Sequence, residues 1–415
     1  MNPLSQETPR SGDRASGDRA SVLYLTNGLP HLTVGGGPLR VRGLENALAR
    51  ICDLTRLAVL CRDEERCAHP PVPPMRPLPD EVRRGAPYFG AMCAVSAEEA
   101  ARVALQVRPD VVVAGGLECF VHARWVQQLT GCATVLDLYN IESDLYPLIS
   151  AALAGRVDAA HFVSDGGAEL YAIEREALDG SDRVWSCGSQ DRLRLGELHG
   201  YPLERVTVVP NTVSLPPLDV VGDEPPEQVL MLGRLDYVPN VQAAEYLLDE
   251  VHPRLLAAGS TLPLTVAGAM PAPALRERAF RPGTRLLADL PDISGLWRGS
   301  VLVVPLSLGG GSRLKILEAF AAGCLVVSSA KGIEGIDARD GTHYLAAETA
   351  EEITAAILRL QAEPALRRGL VTEGYRLVAG HYTPDALVAP LAGELRALAP
   401  VAAARRASGA VAVGG

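Results

Sequence analysis

Residues 309–318 read Gly-Gly-Gly-Ser-Arg-Leu-Lys-Ile-Leu-Glu, an order of residue types that suits an anion with a polyhydroxylated group beside it. Gly309, Gly310 and Gly311 let backbone N–H groups approach a ligand with no Cβ in the way. A helix beginning near Ser312 adds unpaired N–H groups and a partial positive charge. Arg313 and Lys315 fall on its first turn, so loop and helix together make a site for a phosphate or diphosphate. Glu318, three residues after Lys315, lies one turn on along the same face, where a carboxylate can accept hydrogen bonds from sugar hydroxyls. A plain glycine-rich turn with a solvated Lys–Glu pair has the same spacing. The lysine count favours the anion site: Lys315 and Lys331 are the only lysines in the chain, against 37 arginines, so a compact, mobile ammonium is kept here.

Two more clusters point to the same place. Gly233-Arg234 follows directly on the apolar run Val229–Leu232, which puts Arg234 at the end of a strand. In the first half, Asn27-Gly28 and Gly35-Gly36-Gly37, with Arg40 or Arg42, form another flexible turn opening a helix, suited to an acceptor or a second phosphate contact.

These residues need elements to hold them. Short β-branched runs alternate with longer amphipathic segments, the pattern of a parallel sheet covered by helices. The first half offers strands at 22–26, 57–60, 111–114, 134–137, 183–187 and 206–210, with helices over 39–50 and 96–107. After a Pro- and acid-rich linker at 214–227, strands recur at 229–233, 264–268, 301–305 and 325–328, with helices over 241–258 and 312–322. The expected division is a disordered tail (1–20), a first domain (21–213), the linker (214–227), a second domain (228–383) and a C-terminal helix and tail (384–415). Two α/β domains so joined place a ligand cleft between them, outside the carboxyl ends of the strands. Neither carries GxGxxG after its first strand, which disfavours a dinucleotide dehydrogenase.

Composition narrows the class. A net charge of −10 argues against a nucleic-acid partner held by a basic field. No apolar run reaches the roughly 18 residues of a membrane span, and the polar first twenty residues lack the core of a signal peptide, so a cytoplasmic location is expected. The eight cysteines show neither CxxC nor Cys/His metal spacing, and read as buried free thiols.

At this point five stretches match a known family: VTVVPNTV (206–213), VLMLGRLDYVPNVQAAEYL (229–247), VVPLSLGGGSRLKILEAFAAGCLVVSS (303–329), KGIEGI (331–336) and DGTHYL (340–345). In order and spacing they resemble the retaining nucleotide-sugar glycosyltransferases of glycosyltransferase family 4. The first domain is similar more loosely, through GGGPLRVRGLENALAR and VLDLYNIESDLY. The resemblance implies a GT-B fold, two Rossmann-like parallel-sheet domains facing each other across a cleft, with the donor on the second. Arg234 and Lys315 would neutralise the diphosphate, aided by the Gly309–Gly311 loop. Glu318 would bind the ribose as the second glutamate of an E-x7-E motif, and Glu334 would sit at the next strand tip beside the donor, in a loop that Lys331 starts. The departing phosphate would accept the acceptor's proton and the anomeric configuration would be kept. A nucleotide-diphosphate sugar is the implied co-substrate, with no metal or other cofactor.

Three positions depart from the family pattern. Gly310 stands where the first glutamate falls, and Asn240 where a diphosphate lysine aligns, leaving Arg313 or Lys315 to supply its charge. Where a histidine often follows the fourth strand, this chain has Tyr139 and Asn140, candidates for acceptor or donor-sugar contact; His161 is the next histidine further along the chain. Residues 21–215 hold no lysine and more acids than arginines, which favours a soluble acceptor, a small metabolite or glycan precursor, over a lipid. Two other readings stay open: a non-catalytic sugar-nucleotide-binding protein, and a sugar-nucleotide epimerase or hydrolase, for which no convergent acid/base carboxylate pair stands out.

Overall fold

The computed structural model describes residues 19–26, 36–59, 92, 94–152, 167–218, 224–311 and 313–408. Asn27-Gly28, Gly35, the Pro-rich stretch 61–87, His161 and Ser312 lie outside the described residues.

The first domain comprises β1 (Ser21–Thr26), α1 (Gly36–Leu48), β2 (Asp53–Ala58), α2 (Ala94–Val107), β3 (Val111–Gly115) and α3 (Phe120–Thr130). It continues through β4 (Ala133–Asp137), α4 (Glu142–Ala152), α5 (Ala168–Asp179), β5 (Arg183–Ser186), α6 (Ser189–His199) and β6 (Val206–Val208). All six strands are parallel, in the order β2-β1-β3-β4-β5-β6. Central strands such as Val111–Gly115 and Ala133–Asp137 are buried throughout, so their runs are apolar without alternation.

The second domain comprises β7 (Gln228–Leu232), α7 (Val238–Tyr246), α8 (His252–Ala257), β8 (Leu264–Gly268), α9 (Pro273–Arg278), β9 (Thr284–Ala288), β10 (Ser300–Val304) and α10 (Leu314–Ala321). Then follow β11 (Leu325–Ser328), α11 (Ala330–Ile333), β12 (Leu345–Ala346), α12 (Ala350–Ala362), α13 (Pro364–His381) and α14 (Pro384–Ala407). Its parallel sheet has the order β12-β11-β10-β7-β8-β9.

The edges differ from the sequence expectation. β2 occupies 53–58 rather than 57–60, and β9 carries no strand signal in the sequence. Both are edge strands with mixed exposure, and Arg56 and Arg285 break their apolar runs, so the burial that makes a strand legible is missing. The helix expected over 241–258 runs from 238 to 257 through a π-helical turn, Leu247–Val251.

The chain crosses between domains twice, and the crossings are tied together. The Val213 N–H donates to the Tyr382 carbonyl (2.9 Å) and the Tyr375 hydroxyl to the Pro216 carbonyl (2.9 Å). Beyond the second crossing α14 returns to the first domain. Leu387, Leu391, Leu395, Leu398 and Ala402 pack with Val22, Leu44, Leu48, Val111 and Trp185, each leucine contributing about 2 kcal/mol of apolar burial. Arg405 pairs with Asp182 (2.9 Å) and Arg406 with Asp110 (3.1 Å). The stretch 364–407 is long and apolar enough by composition to cross a bilayer, but in this fold its leucine stripe is core.

Candidate active site

The sequence-derived candidates gather at the carboxyl ends of the strands: Gly36 and Gly37 beyond β1, Tyr139 and Asn140 after β4, Arg234 after β7, Gly309–Gly311 after β10 and Glu334 beyond β11.

The glycine loop needs its glycines. Gly309 (φ 130°) and Gly311 (φ 64°) adopt backbone conformations that a Cβ strains. Space is short as well. A Cβ on Gly311 would lie 2.5 Å from the Tyr139 carbonyl oxygen, and one on Gly310 3.1 Å from Asn140 Oδ1. The second domain's loop is therefore pressed against the first domain's β4–α4 turn.

Arg313 holds this loop rather than presenting a free charge. It is buried, and its guanidinium donates to the carbonyls of Gly310, Gly311 (2.9 Å) and Lys331 (3.3 Å). Its Nε has no partner among the described residues, and burial lowers its pKa.

Lys315 lies on the first turn of α10, directly after the glycine loop. Its Nζ donates to Asn240 Oδ1 (2.9 Å), and Asn240 Nδ2 donates to the Arg234 carbonyl (3.0 Å), so the asparagine links the helix-borne lysine to the strand-end arginine. Arg234 is half exposed and paired with Asp236 (Nε to Oδ1, 3.0 Å). Burial draws the Lys315 ammonium down to about 7, with the Arg313 charge adding to the effect and Glu318 opposing it. Burial likewise pushes the Glu318 carboxyl up to about 7, opposed by Lys315.

Lys331 Nζ pairs with Glu334 (2.5 Å), so the second lysine is engaged one turn along α11 while its carbonyl serves Arg313. Glu334 faces Asp191 on α6 of the first domain. The Asp191 carboxyl is pushed up to about 6 by burial and then by the Glu334 charge, against Arg313, Arg40 and Lys331. Nearby, a Cβ on Gly188 would lie 2.8 Å from the Gly335 Cα, a second close approach of the two domains.

On the first-domain side, the start of α1 faces both partners. A Cβ on Gly36 would come within 3.9 Å of Leu314, and one on Gly37 within 3.7 Å of the Tyr139 ring. Arg40 requires a correction. It is not a cleft residue but fully buried, ion-paired with Asp137 at the end of β4, and donates to the Val209 carbonyl (2.9 Å) and Asn211 Oδ1 (3.0 Å). A guanidinium so deep persists only with a carboxylate and carbonyls around it, so Arg40 ties α1 to the sheet.

Sequence reasoning gave no role to Glu142 and Glu118. The Glu142 carboxyl accepts from Asn140 Nδ2 (3.3 Å) and is pushed up to about 8 by burial, then by Glu118. The first turn of α4 is anchored from behind: the Glu142 N–H donates to Glu174 Oε1 (2.8 Å), and Glu174 also meets Ser143 and His199 (2.9 Å), all buried. That cap fixes the turn carrying Tyr139 and Asn140. The only advance signal was the stretch DLYNIE itself. Among the described residues, no group of three or more His, Cys, Asp or Glu could hold a metal ion.

Two six-stranded parallel sheets covered by helices, whose loops meet at the carboxyl ends of the strands, have the architecture of the GT-B glycosyltransferases. Residues 35–212 match the model of the glycosyl transferase 4-like domain and residues 226–363 that of the glycosyl transferases group 1. The chain belongs to the glycosyltransferases of family 4. No curated protein matches it in sequence. Among solved structures, HepE of Anabaena in complex with UDP and glucose is similar at 12% identity and a TM-score of 0.61, over 92% of this chain and 100% of that one. Sucrose-phosphate synthase from Thermosynechococcus elongatus is similar at 15% identity and a TM-score of 0.62, over 92% and 99%. A glycosyltransferase from Rickettsia africae is similar at 12% identity and a TM-score of 0.60, over 92% and 99%.

Proposed function

We propose that this chain moves a hexosyl group from a nucleotide-diphosphate sugar to a soluble acceptor in the cytoplasm, a small metabolite or glycan precursor, with retention of anomeric configuration. The observation that carries this reading is the Lys315–Asn240–Arg234 linkage above the glycine loop. It holds the Lys315 ammonium against Asn240, which is tied to the Arg234 backbone at the strand end, where a diphosphate leaving group would gain negative charge. The start of α10 and the N–H groups of Gly309–Gly311 add to it. Bond breaking at the anomeric carbon leaves electrons on the diphosphate, whose oxygen takes the proton of the incoming acceptor hydroxyl. No side-chain base is then needed. Within a retaining reaction, the residues nearest the loop fit a single front-face displacement rather than a covalent intermediate: Gly310 has no side chain, and Asn140 offers an amide, which makes a poor nucleophile. UDP heads the donor candidates because HepE binds it.

A thermal-shift panel of UDP, GDP, ADP, dTDP and CDP tests the reading. A nucleotide at 100 times its dissociation constant should stabilise the chain by about 2.7 kcal/mol. One diphosphate should stand out, and Lys315→Ala should lose the shift; no shift with any of them would remove the donor site. With the matching nucleotide sugar, proton NMR of the product reports the anomeric configuration.

A further inference from the structure

Tyr382 stands where the second domain returns the chain to the first. It closes α13, is buried, and precedes Thr383, the residue that caps α14. Its carbonyl accepts the Val213 N–H of the first crossing, and its hydroxyl accepts the Asp337 N–H (2.9 Å) in the loop that follows α11. Asp337 is exposed, so water could serve that N–H, and a phenylalanine ring would fill the same core position. What the tyrosine hydroxyl adds is a fixed place for the loop relative to the hinge.

The same segment is tied at its other end to the glycine loop. The Lys331 carbonyl accepts from Arg313, whose guanidinium also holds the carbonyls of Gly310 and Gly311, and Lys331 Nζ pairs with Glu334. Between the two ties Gly335 (φ 83°) meets the first domain, since a Cβ on Gly188 would lie 2.8 Å from its Cα. We propose that Tyr382 is a positioning residue for the reaction: from the hinge, its hydroxyl holds the 334–337 loop against Gly188, so that the closeness of the two domains there and the place of Glu334 are set together. The contact itself stands on geometry, while its effect on turnover rests on the glycosyl-transfer reading.

Gly188 is extended (φ −153°), a conformation open to any residue, so Gly188→Ala adds a methyl wedge at the contact without straining its own backbone. With the Tyr382 hydroxyl in place the loop resists that wedge; in Tyr382→Phe it yields. Urea unfolding of the ligand-free full chain should find each single variant less stable than wild type and the double variant losing less than the sum. Additive losses overturn the proposal. Turnover is read as UDP release from UDP-glucose, with water as the acceptor. Tyr382→Phe should lower kcat by about 5–10-fold, the effect of one neutral hydrogen bond. The KM for UDP-glucose and the inhibition constant of inorganic pyrophosphate should stay within about twofold, because Lys315 and the glycine loop keep their own partners. Lost stability with unchanged kcat overturns the proposal, because the hydroxyl then serves the fold alone. A raised KM with unchanged kcat also overturns it, by making the loop a donor-binding element only. If the wild type releases no UDP, the proposed function is what fails, and the unfolding cycle still decides whether Tyr382 holds the loop.

Discussion

Asn140 Oδ1 stands 3.1 Å from where a Cβ would sit on Gly310. Two departures from the family pattern, glycine for the first glutamate and Tyr139-Asn140 for a histidine, are thus one contact between the two domains. A long acidic side chain at 310 and an asparagine at 140 compete for the same space. The chain resolves this with no side chain on the donor loop and an amide from the first domain.

Gly310→Ala should force Asn140 aside and destabilise the chain by about 1 kcal/mol, the lower end of overpacking. In an Asn140→Gly background the same change should be nearly neutral. Denaturant titration of the four-member cycle reads the coupling, and additive effects would mean that the two residues do not share this space.

Lys315→Ala should lower kcat/KM by roughly 10²–10³-fold, the usual effect of removing one preorganised charge donor. Asn240→Ala, which leaves the ammonium without its amide partner, should have a smaller effect in the same direction. Steady-state kinetics with the donor found in the nucleotide panel decides this, and unchanged turnover in Lys315→Ala would take the lysine out of the mechanism.

The pH dependence follows from two groups that both titrate at about 7. Lys315 lies below the ordinary lysine value, so above pH 7 each diphosphate must bring a proton with it. Affinity should then fall about tenfold per pH unit on the alkaline side. Glu318 lies above the ordinary carboxyl value, so below pH 7 it is neutral and accepts ribose hydroxyls poorly, and affinity should fall again on the acid side. Calorimetry across pH 5.5–9 should give a maximum near pH 7. Lys315→Met should flatten the alkaline limb and Glu318→Gln the acid one.

Arg40→Met should cost about 3–5 kcal/mol in stability, because it leaves Asp137 buried without its counter-charge. The double variant Arg40→Met with Asp137→Leu should recover most of it. The midpoint of urea unfolding measures both. A rise in KM with unchanged stability would instead return Arg40 to the substrate.

Much of this molecule was legible in its sequence, where the physics is local. Buried central strands such as Val111–Gly115 announce themselves by unbroken apolar runs. Glycines at 309 and 311 answer to φ angles that only glycine adopts without strain, and Lys315 and Glu318 share a helix face by spacing alone. The edge strands β2 and β9 were misplaced or missed because partial exposure removes that apolar signature.

Partnerships between distant residues were decided only by the tertiary structure. Arg40 has the residue type of a ligand contact and a place in the first turns of α1, yet its partner Asp137 lies 97 residues away at the end of β4. Asn240 reads as the loss of a lysine until the fold brings it to Lys315, 75 residues on. The pairing of Gly310 with Asn140 spans two domains that sequence periodicity treats separately. By itself the sequence determined the elements, the glycine loop and the charge at its helix start, because those depend on neighbours a few residues apart. Which charges stay free, which are spent on holding the fold, and which surfaces meet across the cleft came from packing, whose register no local pattern encodes.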